Sequence, residues 1–258
     1  MSNPRRIRIT VLLLVLAGVA FDAWYTNRRM TDWKEPLWLA VFPVYGDSSP
    51  ATARYLEKLS ASDFSPLEEF LKTEVAKYRG DLDQPVVVKL APPEKTPPPS
   101  PPRGGGIIDT ALWSLSLRSW ADEAETRLGG PPPDIRLFVI YHDPQLAPAV
   151  PHSLGLQKGL VGVVHAFADD RMRGSNLVIV MHEMLHTLGA TDKYDPANNL
   201  PIWPDGYAKP GAAPLFPQSK AEIMAGRIPV TANIAEVPGA LHETIIGPLT
   251  AREINLQQ

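Results

Sequence analysis

The chain contains no cysteine. A disulfide framework and any zinc site built on Cys ligands are therefore excluded. An oxidising compartment is not excluded, since only the bridges are missing. An excess of one charge is lacking too. Twenty-five Lys and Arg stand against 28 Asp and Glu, a net charge of −3, which gives no reason to expect a nucleic-acid partner. There is no internal repeat. There is also no apolar run of the roughly 20 residues that a spanning helix needs.

The apolar stretch that comes nearest lies close to the amino terminus. Arg5, Arg6 and Arg8 precede the uncharged run Ile9 to Phe21, and Asp22, Trp24 and Tyr25 follow it. A basic flank before a short apolar segment is the pattern of an export signal. Ala17-Gly18-Val19-Ala20 offers a cleavage site, whereas a snorkelling Arg8 and an interfacial Trp24 and Tyr25 suit a retained anchor. The expectation is an N-terminal signal or anchor over residues 1–30, held as a single pass in the inner membrane. Residues beyond about 30 would then lie in the periplasm. Secretion after signal cleavage and a buried N-terminal core helix are the alternatives.

The remainder, residues 31–258, reads as one domain. Leu37 to Val44, Pro85 to Ala91, Ile135 to Tyr141 and Gly159 to Phe167 are apolar runs of strand length. Pro50 to Ser60 and Ser65 to Tyr78 read as helices, the second with Ser65 and Glu68 as a capping box. From Ile107 to Leu128, Trp113, Leu117, Trp120, Ala124 and Leu128 share one helical face. Pro92 to Gly106 is a Pro-rich exposed loop, with a PxxP ligand as the weaker reading. A last helix is expected over Thr250 to Gln257. Together these give an α+β fold: a mixed sheet with packed helices, then an irregular C-terminal subdomain after residue 189.

The chemistry lies in residues 182–192, His-Glu-Met-Leu-His-Thr-Leu-Gly-Ala-Thr-Asp, at the end of a helix expected from about Ser175 to Leu188. His182 and His186, at i and i+4, project from one helical face, where two imidazoles can meet one Zn²⁺. Glu183 can take the proton of a metal-activated water. The bland alternative, a buried helix that happens to carry two histidines, accounts for the apolar run Leu177 to Met181. It leaves three polar groups to be buried without partners, which is costly.

This segment resembles the metzincin motif HExxHxxGxxH, with Asp192 in place of the third His. The resemblance covers the motif helix, one downstream segment, Ala221 to Gly226, and loosely the strands before the motif, and it does not reach the first hundred residues. It implies an exported or membrane-anchored bacterial metallopeptidase. Gly189 would make a sharp turn, Asp192 would be the third ligand, and Met224 would sit in a methionine turn beneath the metal. It also implies that Gly159 to Phe167 forms the cleft edge and adds an extended peptide to the sheet. Asp195 and Glu222 compete as third ligands. Asp192 could instead be a turn residue, and Met224 plain core filler. Of the other histidines, 142, 152, 165 and 242, His165 on the presumed edge strand is the best placed to touch substrate. Tyr194 and Tyr207 are candidate donors to an oxyanion.

The expected activity is zinc-dependent hydrolysis of a peptide or protein substrate. A zinc amidase acting on cell-wall peptides and an anchored, non-catalytic zinc-binding interaction protein are the rivals. A fourth ligand such as His242 would favour the last, because structural zinc is fully coordinated.

Overall fold

A computed structural model describes residues 4–80, 82–102, 104, 106–156 and 160–257. Helix α1 (Pro4–Met30) leads into strand β1 (Leu37–Tyr45). Helices α2 (Pro50–Lys58) and α3 (Ser65–Ala76) follow, then strand β2 (Val86–Leu90). Helix α4 (Ile107–Leu128), strands β3 (Ile135–His142), β4 (Leu154–Leu156) and β5 (Val161–Phe167), and the motif helix α5 (Arg173–Thr187) complete the larger part. The sheet order is β2-β1-β3-β5-β4. The first four strands are mutually parallel, and β4 pairs antiparallel with β5. The fold is thus mixed α/β on a mixed sheet.

Both faces of the sheet are covered, which is why the central strands read as continuous apolar runs instead of alternating ones. Leu39, Val41, Leu137, Val139 and Val164 face α2, α3 and α5 in one buried cluster. Ala40, Phe42, Phe138 and Ile140 face Leu117, Ala121 and Ala124 of α4. Phe138 there stacks on Phe42 at 4.7 Å between ring centroids and meets the edge of Trp120 at 4.4 Å. The described part of the Pro-rich loop lies against α4, where the Trp113 indole donates to the Pro99 carbonyl. That is the sheet face opposite α5.

After α5 the chain is irregular. Strand β6 (Tyr194–Asp195) pairs with β7 (Leu200–Pro201), and β8 (Ala221–Glu222) pairs in parallel with a later strand, β11 (Thr244–Ile245). Between them β9 (Ile228–Thr231) and β10 (Ile234–Glu236) form a hairpin. Helix α6 (Pro248–Glu253) closes the fold and stops short of the expected Gln257 because Asn255 turns to φ +56°.

Three expectations are corrected. No described helix is long and apolar enough to cross a membrane. The uncharged run within α1 is thirteen residues, Ile9 to Phe21. As helix it spans about 20 Å, against about 30 Å of hydrocarbon. The single-pass anchor, the membrane as a partner and the inner-membrane placement therefore fall. Second, Ser65 and Glu68 make no capping box. The Glu68 carboxylate instead accepts from the Val88 amide at 2.7 Å, so it satisfies a backbone donor of the outer strand β2. Third, β5 is internal and the edge is the short β4, because β4 doubles back antiparallel along it.

Leu137, fully buried at the centre of the sheet, should be a sensitive reporter of this core. Leu137→Ala is expected to lower stability by about 3 kcal/mol, read as a shift of the urea midpoint at unchanged slope.

Candidate metal centre

Helix α5 is fixed at both ends. At its start Asn176, buried, accepts from the Phe167 amide and donates to the Phe167 carbonyl, which ties the helix to the end of β5. At its finish the Ala190 amide bonds the Leu185 carbonyl and the Gly189 amide bonds the His186 carbonyl, a Schellman closure. Gly189 carries φ +107°, which disfavours any residue with a Cβ. This reversal sends Ala190 to Lys193 back along the helix end.

The reversal also fixes the rings. His186 Nδ1 lies 2.8 Å from the Ala190 carbonyl, and His182 Nδ1 lies 3.0 Å from the Ile223 carbonyl. A carbonyl can only accept, so both Nδ1 atoms donate. In the neutral rings each Nε2 then carries a bare lone pair. The two Nε2 atoms are 3.0 Å apart, and Asp192 Oδ1 stands 3.1 Å from one and 3.2 Å from the other. Three acceptors so close repel one another unless a cation, a proton or a metal ion, lies among them. Ligand atoms placed tetrahedrally about a zinc ion at roughly 2.05 Å would stand about 3.3 Å apart. The residues fit such an ion. Among the described residues this is the one group of three or more His, Asp or Glu side chains that could hold a metal.

Electrostatics agree with a cation site. Burial disfavours the Asp192 charge, but His182 and His186, which in their protonated form donate from Nε2 and bring positive charge, hold its carboxyl well below the usual carboxylate range. Burial also opposes protonation of His186, but Asp192 and the Ala190 carbonyl outweigh it and the pKa rises. Burial pushes the Glu183 carboxyl up, against the pull of the two histidines. Its Oε2 is buried without a hydrogen-bond partner.

The rival ligands are engaged elsewhere. Glu222, fully buried, accepts at Oε2 from the Met224 and Ala225 amides and at Oε1 from the Gly247 amide and the Thr250 hydroxyl. Asp195 accepts from the Ala197 amide and the Asn198 side chain, as a turn residue does. Met224 is fully buried in the same cluster as Met181, Met184 and Leu185. Its turn presents two neighbouring carbonyls: Ile223 to His182, and Met224 to the Lys193 amide.

His165 is not near this cluster. It projects towards the α4 side of the sheet, where its Nδ1 lies 2.9 Å from His142 Nε2. His242 lines a separate cavity of about 460 Å³ with Phe70, Leu177, Lys220 and Leu241. Tyr207 is buried and meets Phe216 edge-on. Tyr194 is half-buried, and burial together with the charges of Asp192 and Glu183 raises its phenol pKa.

Sequence reasoning missed Gly155 on β4. A Cβ there would fall 2.6 Å from both the Glu183 carbonyl and His186 Cβ, and 3.1 Å from Glu183 Oε2. A lone Gly between two leucines was the available sign of close backbone approach. No protein-family model matches the chain, and no curated protein matches it.

Two outcomes follow from this geometry. Gly155→Val should force β4 off α5 and cost about 1–3 kcal/mol in urea unfolding, with Gly155→Ala milder. Burial, then the neighbouring His142, lowers the His165 pKa from 6.5 to about 4. The unfolded chain therefore takes up a proton that the folded one refuses, so stability drains as pH falls from about 6.5 to about 4. His165→Gln should flatten that limb in urea midpoints taken across the window.

Proposed function

We infer that the chain is a metzincin-like zinc peptidase whose metal is held by His182, His186 and Asp192. The observation that carries this is the convergence of two bare imidazole nitrogens and one carboxylate oxygen within 3.0–3.2 Å. When bound, zinc would polarise the scissile carbonyl and lower the pKa of water towards about 7. The chain's own residues do the rest. The Ile223 and Ala190 carbonyls hold the rings in the ligating tautomer. Glu183, its carboxyl raised by burial and its Oε2 unpartnered, is the general base. It accepts a proton at Oε2 and returns it to the leaving amine nitrogen. The Tyr194 phenol is a candidate donor to an oxyanion.

The edge strand β4 lies directly against α5 through Gly155. An extended peptide added to its free side would run past Glu183. The role expected of β5 thus passes to β4. The same chemistry would serve a cell-wall amide, and only a substrate profile separates the two. The structural-zinc reading is weakened, because among the described residues no fourth ligand joins the cluster.

Purified protein should carry about one zinc per chain by elemental mass spectrometry, and Asp192→Ala, left with two histidine ligands that bind zinc only weakly, should lose it during purification. Glu183→Gln should keep the zinc while turnover on a peptide library falls by at least about 100-fold. A Glu183→Gln variant that still turns over would refute the mechanism.

A further inference from the structure

The third ligand differs from the first two in what fixes it. His182 and His186 are set by a helix and by carbonyls at their far nitrogens, whereas Asp192 lies on a loop and its side chain is 44% exposed. Among the described residues its carboxylate has no partner beyond the two imidazoles. Its position must therefore come from the backbone on either side, and that backbone is gripped from α6. Glu253 accepts from the Thr191 amide at 3.0 Å and from the Thr191 hydroxyl at 2.6 Å. It also accepts from Lys193 Nζ at 2.6 Å. Lys193 is 4% exposed, and its ammonium closes the ring by donating to the Thr191 carbonyl at 2.6 Å and hydroxyl at 2.9 Å. The Lys193 amide is held in turn by the Met224 carbonyl.

The residues that follow α6 are anchored as well. The indole of Trp33, 2% exposed, donates to the Ile254 carbonyl at 2.7 Å, and the Asn255 amide group donates to the Thr31 hydroxyl at 2.8 Å. The next residue after the clamp is thus pinned to the segment that enters β1.

We propose that Glu253 is a positioning residue for the metal: with Lys193 and Thr191 it clamps the Asp192 loop, so the C-terminal helix sets the affinity of the site. This rests on reading His182, His186 and Asp192 as a metal site. Groups that orient ligands in this way typically govern metal affinity by about 10–100-fold. Glu253→Gln keeps the shape but turns one acceptor into a donor that faces other donors.

The test is zinc affinity of the full chain, by competition with a chromophoric chelator, in a double-mutant cycle of Glu253→Gln with Asp192→Ala. The expected result is zinc binding about 10–100-fold weaker in Glu253→Gln, with no further loss when the change is added to Asp192→Ala. The Co²⁺ absorption spectrum of Glu253→Gln should shift towards that of Asp192→Ala. Equal affinity in the wild type and Glu253→Gln would overturn the clamp and leave the metal reading standing. Equal loss in both backgrounds would overturn it as well, because general destabilisation acts regardless of Asp192. No zinc on the wild type would overturn the metal reading itself. If the metal-free urea midpoint shows Glu253→Gln unfolded, Thr191→Val removes the hydroxyl donor, keeps the ion pair and is read in the same way.

Discussion

Two imidazole nitrogens that both face inward with bare lone pairs are a constraint the rest of the site is built to maintain. Left alone, the rings would rotate or one would flip, so that one Nε2 could find a donor. Each is prevented by a backbone carbonyl at its other nitrogen. Those two carbonyls come from different parts of the chain. Ala190 belongs to the turn that ends α5, and Ile223 to the turn that carries Met224. The motif helix alone cannot form the site, because it supplies the nitrogens while both restraining carbonyls lie beyond it, at Ala190 and Ile223.

The sheet and the C-terminal region accordingly divide the labour. The sheet supplies a rigid bed for α5 through Leu177, Val178, Val180, Met181, Met184 and Leu185, all buried. It also brings β4 up to the helix so closely that only a glycine fits at position 155. The C-terminal region supplies what the helix lacks: a carbonyl for His182 and a fixed path for the loop bearing Asp192. Side-chain rigidity reaches the site from the sheet, and backbone rigidity reaches it from the irregular part.

Legibility in the sequence followed the range of the interaction. Elements specified by local periodicity, such as the α4 stripe of Leu117 and Ala124 or the apolar strand Ile135 to Tyr141, could be read from the chain. So could the i, i+4 pairing of His182 with His186. What was not legible was set by pairing across long separations. The antiparallel return of β4 moved the edge away from β5, and only three residues of irregular sequence carry it. The partner of Glu68 is twenty residues away on β2, a contact that competes with the local cap and has no local sign. His165 was assigned to the cleft because its strand was read as an edge. Alternation along β5, edge or internal, directs that ring to the α4 face of the sheet. The anchor reading failed on length, since export-like flanks surround a run too short to span.

The region after Gly189 poses a question that its composition sharpens. It is rich in proline and has few paired strand residues, so its amides and carbonyls cannot satisfy one another in a ladder. Buried acidic and amide side chains do this instead. Glu222 takes the amides of Met224, Ala225 and Gly247, and Glu74 on α3 takes that of Ile246. Gln218 accepts from the Lys209 amide and donates to the Lys209 and Leu215 carbonyls. Each is a fully buried or nearly buried polar residue that would be costly anywhere else. Here Glu222 and Gln218 each replace three missing backbone bonds and Glu74 replaces one, each at a fixed place. Glu222 therefore has no capacity left to ligate a metal. Its carboxylate is spent on the turn whose Ile223 carbonyl orients His182.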